Sequence, residues 1–104
     1  MSDQHSELDV GRYFSADEVL KTWPSPKKRQ VQLAVLKRLG GLFEVGREYS
    51  EPEVNEILRA HLAFSDYVLV RRELIEAGVL GRTRDGRRYW RETPSGPAQL
   101  AAKT

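Results

Sequence analysis

Residues Asp66–Arg91 read DYVLVRRELIEAGVLGRTRDGRRYWR, a stretch whose two halves carry different periodicities. Projected at about 100° per residue, Tyr67, Val70, Leu74 and Ala77 share one side of a helix. Val68, Leu69, Arg72, Glu73 and Glu76 lie on the other. Ser65 or Asp66 supplies an N-cap, and Gly78 suits the left-handed position that ends a helix, so a helix is predicted over 67–77. Directly after it, Val79–Arg91 holds Asp85-Gly86 at its centre. Asp-Gly favours a two-residue type I′ turn, in which both central residues take positive φ. The register that follows sets Arg84 opposite Arg87, Thr83 opposite Arg88 and Arg82 opposite Tyr89. A helix running straight into a ribbon restricts what the rest of the chain can be.

Upstream, Ser50-Glu51-Pro52-Glu53 has the form of a capping box, serine and glutamate each satisfying a free backbone N–H. Val54, Ile57, Leu58, His61 and Leu62 then recur at helical spacing and predict a helix over 53–62. Arg47-Glu48-Tyr49 reads as a short strand. Ser25-Pro26 offers a cap and a first-turn proline, and Val31, Val35, Leu36 and Leu39 continue to Gly40-Gly41, giving a helix over 27–39. Ser15-Ala16-Asp17-Glu18 forms another capping box and predicts a short helix ended by Pro24, burying Phe14, Val19, Leu20 and Trp23. Residues 1–12 are polar, acidic and aperiodic, which predicts a disordered tail. The stretch TPSGPAQLAAKT at 93–104 predicts a mobile one, leaving 13–92 as the domain. The fold expected is mainly α with a small β-hairpin: a winged helix-turn-helix of three main helices, a two-stranded wing and a short N-terminal helix.

The 104 residues suffice for one domain with a modest core and little room for a deep cleft. Cysteine is absent, which excludes disulfides and thiolate metal sites and fits a reducing compartment. No apolar run approaches membrane-spanning length, and the acidic start MSDQHSELDV is unlike a signal peptide, so the expected location is cytoplasmic. The formal net charge is only +2, but its distribution is uneven: −3 over residues 1–26, +5 over 27–43, −4 over 44–76 and +4 over 77–104.

Catalytic chemistry finds no support in these residues. His5 stands in the acidic tail, and His61 closes a helical stripe with no second histidine, cysteine pair or carboxylate cluster at ligand spacing. Serines 15, 25, 50 and 65 all read as caps, and Gly40-Gly41 lacks the strand–loop–helix context of a phosphate cradle. No enzyme, metal or cofactor is expected.

The cations point elsewhere. Gly81–Arg91 holds five arginines and a single acid. Arg84 facing Arg87 would weaken a ribbon unless a polyanion lay alongside, and the guanidinium fork matches phosphate oxygens in two-point contacts. Lys27, Lys28 and Arg29 fall in the first turn of their expected helix, where the dipole disfavours cations. The expected phosphate contacts are therefore Lys27, Lys28, Arg29, Arg71, Arg72, Arg82, Arg84, Arg87 and Arg88, and the expected partner is nucleic acid, duplex DNA before RNA. Asp66, Glu73 and Glu76 oppose this on the last helix. The alternative is a non-catalytic module docking on transcription or translation machinery through Val68, Leu69 and Trp90.

YSEPEVNEIL (49–58) followed by DYVLVRRELIEAGVLGRTRDGRRYW (66–90) resembles the bacterial domain-of-unknown-function family 2087. That family shows a Y-[ST]-E-x-E-V-N stretch, then D-x-x-x-LRR-x-L and a D-G-x-x-YW hairpin. The resemblance spans Phe14 to Arg91, with Val70 standing where the family pattern has leucine. It implies a winged-helix-like fold and an association with transcriptional regulators, and it assigns no binding residues.

Overall fold

In the computed structural model, which describes residues 10–92, three helices pack against a three-stranded antiparallel sheet. The expectations for residues 1–9 and 93–104 lie outside the described residues. After a 3₁₀ turn at Val10–Tyr13, where a disordered tail was expected as far as residue 12, come α1 (Arg29–Gly40), β1 (Glu48–Tyr49), α2 (Glu51–Ala60), α3 (Tyr67–Glu76), β2 (Leu80–Arg82) and β3 (Tyr89–Arg91).

The local signals act where the sequence places them. At α2 both halves of the capping box form: Glu53 N–H donates to Ser50 Oγ at 3.2 Å, and Ser50 N–H donates to Glu53 Oε1 at 2.8 Å. Asp66 caps α3, its Oδ1 accepting from Leu69 N–H at 3.1 Å, and Gly78 follows at φ 77°. Val54 and Leu58 from α2 and Val70 and Leu74 from α3 are fully buried, packed with Val35, Leu36 and Leu39 of α1.

The sheet has the order β1-β3-β2 and so corrects the expected two-stranded ribbon. Tyr49 pairs with Tyr89, and Glu48 pairs with Trp90. Leu80, Gly81 and Arg82 pair with Arg91, Trp90 and Tyr89. Because side chains alternate along a strand, Tyr49, Tyr89 and Leu80 turn into the core while Trp90 takes the outer face. A Cβ at Gly81 would stand 2.5 Å from Trp90 Nε1, so the indole lies over the glycine of the neighbouring strand.

Three local expectations differ from the structure. The short N-terminal helix does not form. Ser15 Oγ instead accepts from Asp17 and Val19 N–H, both at 3.2 Å, and Glu18 takes φ 62°. Two turns nucleate poorly alone, whereas Leu20 gains partners on both sides: its N–H donates to His61 C=O at 2.8 Å and its C=O accepts from Ala63 N–H at 2.9 Å. Phe14 and Leu20 are buried nonetheless.

The first main helix starts at Arg29, later than expected. Ser25 closes a turn, its Oγ accepting from Lys27 N–H at 3.2 Å and its C=O from Lys28 N–H at 2.8 Å. Lys28 is then the N-cap, without a side-chain bond, and Lys27 precedes the helix.

In the hairpin only Gly86 has positive φ, at 74°, which rules out the type I′ turn. Gly86 N–H donates to Thr83 C=O at 3.0 Å, placing Arg84 and Asp85 at the turn's centre. Thr83 Oγ1 donates to Asp85 Oδ1 at 2.6 Å and accepts from Arg87 and Arg88 N–H at 3.2 Å. These side-chain bonds displace the tighter turn. Thr83 still meets Arg88, but Arg84 and Arg87 lie in no strand, so the expected pairing of like charges across the ribbon does not form.

Leu74 is fully enclosed, and Leu74→Ala is expected to cost about 2–5 kcal/mol through lost transfer energy and the cavity left behind. Val68 is 41% exposed, and Val68→Ala is expected to stay within about 0.5 kcal/mol. Equal losses in urea unfolding would mean that α3 is rotated.

Candidate nucleic-acid interface

The tip of the hairpin carries Arg84, Arg87 and Arg88 into solvent. Arg87 lies 3.7 Å from Asp85 and Arg88 lies 3.8 Å from Glu48, with side-chain exposures of 84% and 65%. Such pairs hold their partners weakly. Arg84 makes no ion pair among the described residues. The Thr83 hydroxyl, then the Arg87 N–H, lower the Asp85 carboxyl below its ordinary 3.8, so the turn keeps its anchoring carboxylate into moderately acid solution.

Between α3 and the hairpin runs an open groove of about 270 Å³. Its walls are Val68, Arg71, Arg72, Ile75 and Glu76 of α3, with Arg82 and Tyr89 of the hairpin and Glu51 at the start of α2. Glu51 Oε1 accepts the Tyr89 hydroxyl at 3.2 Å, and Glu51 Oε2 stands 3.6 Å from Arg71 Nη1. That same Nη1 donates to Asn55 Oδ1 at 2.6 Å. Arg72 and Arg82 have no ion pair among the described residues. Burial first, and the Glu51 carboxylate second, push the Tyr89 phenol above its ordinary value of 10.0.

At the start of α1, Lys27 and Lys28 are exposed and unpaired among the described residues. Arg29 Nη1 donates to Glu73 Oε1 at 3.0 Å and to Gln32 Oε1 at 2.7 Å. Gln32, 4% exposed, donates in turn to Pro24 C=O at 2.9 Å. Arg29 thus ties α1 to α3 while leaving about half its own side chain in solvent.

The nine sequence candidates therefore divide. Lys27, Lys28, Arg72, Arg82 and Arg84 are unpaired among the described residues, whereas Arg29, Arg71, Arg87 and Arg88 have carboxylate neighbours. The acids that oppose an anionic partner divide as well: Asp66 caps α3, Glu73 meets Arg29, and Glu76 makes no ion pair among the described residues. Leu69 is half-buried rather than exposed, and Trp90 sits on the opposite sheet face from Tyr89, away from Val68 and the groove. Sequence reasoning missed Glu51, Asn55 and Tyr89 as neighbours of Arg71. The i, i+4 spacing of Glu51 and Asn55 on one helix face was the signal for two of them.

Three helices, an antiparallel sheet and an arginine-bearing hairpin beside the last helix define a small, mainly helical domain. The chain belongs to the family described as "Uncharacterized protein conserved in bacteria (DUF2087)", whose model matches residues 19–91, starting just after the Phe14 boundary drawn from the sequence. No curated protein and no solved structure matches the chain. No helix among the described residues is long and apolar enough to cross a membrane.

The raised Tyr89 pKa means that the fold favours the neutral phenol. Its stabilisation is present below about pH 10, the unfolded value, and is lost as pH rises through the higher folded value. Tyr89→Phe is expected to lose about 0.5–1.5 kcal/mol at neutral pH with the hydrogen bond to Glu51, and to flatten the alkaline fall in urea midpoint. Parallel profiles for the two proteins would show that Tyr89 does not carry that linkage.

Proposed function

We propose that this domain is a winged-helix protein that binds nucleic acid, duplex DNA before RNA, and acts in transcription regulation. The observation that carries the reading is that Arg72 of α3 and Arg82 of the hairpin line one groove, and Arg84 stands at the tip of the same hairpin, with no acid paired to any of the three among the described residues. In this reading the hairpin is the wing and α2–α3 the helix-turn-helix, α3 entering the major groove. Exposed Val68 suits a thymine methyl, and the Arg72 fork suits guanine O6 and N7 or a phosphate. Arg82, Arg84, Arg87 and Arg88 meet the backbone on one side, and Lys27, Lys28 and Arg29 do so beside α3, where Glu73 is tied to Arg29 and so opposes phosphate less. The second reading, a protein-docking module, keeps the exposure of Val68 in its favour, but Val68 and Trp90 do not share a face.

The test is fluorescence anisotropy with duplex DNA and structured RNA over a range of salt. The four arginines of the wing alone are expected to contribute about −3.6 to the slope of log K against log salt. The double variant Arg84→Ala/Arg87→Ala is expected to make the slope shallower by about 1.8, with little regard to sequence. Its stability should be close to that of the parent, because Arg84 has no pair and the Arg87–Asp85 contact is exposed. Unchanged affinity and slope in a folded double variant would reject the wing as a phosphate contact. A wild-type protein that binds neither nucleic acid at low salt would favour docking.

A further inference from the structure

Arg71 and Arg72 are neighbours on α3 and line the same groove, yet their surroundings are opposite. Arg71 is 19% exposed, bonded to Asn55 and set against Glu51. Arg72 is exposed and unpaired among the described residues, and Arg82 approaches the groove from the hairpin without an ion pair. Asn55 and Glu51 both meet Arg71 at Nη1, so the charge of this half-buried guanidinium faces a carboxylate, and the Glu51 carboxylate would repel an anion if left bare. The groove holds three arginines against Glu51 and Glu76, a formal surplus of one positive charge. A phosphodiester carries one negative charge.

We infer that the groove seats a single phosphodiester between Arg72 and Arg82, and that Arg71 is a positioning residue acting through Glu51, whose charge it cancels. The inference rests on the nucleic-acid reading and divides the labour within it. Direct contact and neutralisation predict different outcomes when Glu51 is changed. Gln at position 51 keeps an acceptor for the Tyr89 hydroxyl but removes the charge.

The experiment is a double-variant cycle measured by duplex anisotropy, with near-ultraviolet circular dichroism to confirm folding. Arg71→Gln and Arg72→Gln are each expected to weaken binding about ten-fold, the effect of losing one charge-assisted contact or uncovering one carboxylate. Glu51→Gln should then restore Arg71→Gln to within about three-fold of wild type and leave Arg72→Gln largely unrestored. Equal gains from Glu51→Gln in both backgrounds, or no gain in the Arg71→Gln background, would overturn the assignment. Arg71→Lys serves where Arg71→Gln does not fold: an ammonium still cancels Glu51, so a ten-fold loss there would also overturn it.

A second arm separates the seat from the function. A thymidine dinucleotide with one phosphodiester, and inorganic phosphate, are titrated separately while the arginine Nε–H resonances are followed by NMR. The seat predicts that the dinucleotide shifts Arg72 and Arg82 and not Arg71, with a smaller response to inorganic phosphate. Shifts with inorganic phosphate alone would make this a free-phosphate site and overturn the diester assignment. Duplex binding with neither arginine moving would sink the seat and leave the function standing. Dinucleotide shifts in a protein that binds no duplex would do the reverse.

Discussion

The burial of Tyr89 in the central strand fixes the relation between the hairpin and the helices. Its ring, 2% exposed, lies between Tyr49 of β1 and Arg82 of β2 in register, and its hydroxyl reaches Glu51 at the start of α2. One side chain therefore joins the sheet to the helix whose capping box begins two residues after β1 starts to pair. An isolated two-stranded ribbon is marginal in water. A third strand and an aromatic anchor hold the arginine-bearing turn at a defined distance from α3. The groove lies between α3 and a hairpin anchored in this way.

Charge on this surface is organised by pairing more than by composition. The block 44–76 is formally −4, which by itself argues against an anionic partner. In the structure Asp66 caps α3, Glu73 is held by Arg29, and Glu51 shares Arg71 and the Tyr89 hydroxyl. A carboxylate paired at close range projects a weaker field than its formal charge implies, most of all beyond a Debye length of about 8 Å at physiological salt. Arginines without pairs lie on α3 and the hairpin, so the local balance around the groove differs in sign from the block that contains most of it.

Much of the fold was legible because its signals are local. The Ser50 box, the stripe from Val54 to Leu62, the α3 face of Val70 and Leu74 and the Gly78 stop each depend on a few neighbouring residues. The misreadings share a different cause. Ser15-Ala16-Asp17-Glu18 fits a cap, but the tertiary hydrogen bonds of Leu20 to His61 and Ala63 win over a helix of two turns. Asp85-Gly86 fits a type I′ turn, but the Thr83 hydroxyl supplies a competing set of bonds. Of the site, the cations were visible in the sequence and their partners were not, since Arg29–Glu73 and Arg71–Glu51 join residues far apart along the chain.

The bridge at Leu20 also sets where the domain can be cut. Its backbone closes the chain reversal between α2 and α3, taking the His61 carbonyl and the Ala63 amide. A fragment beginning at α1 would contain all three helices, the whole sheet and every groove residue, yet would leave those two polar groups bare beside an opening where Leu20 and Phe14 had been. Buried backbone groups without partners are costly. The smallest autonomous unit therefore extends upstream through an irregular segment with no helix of its own, and the family match beginning at residue 19 draws its border at the same place.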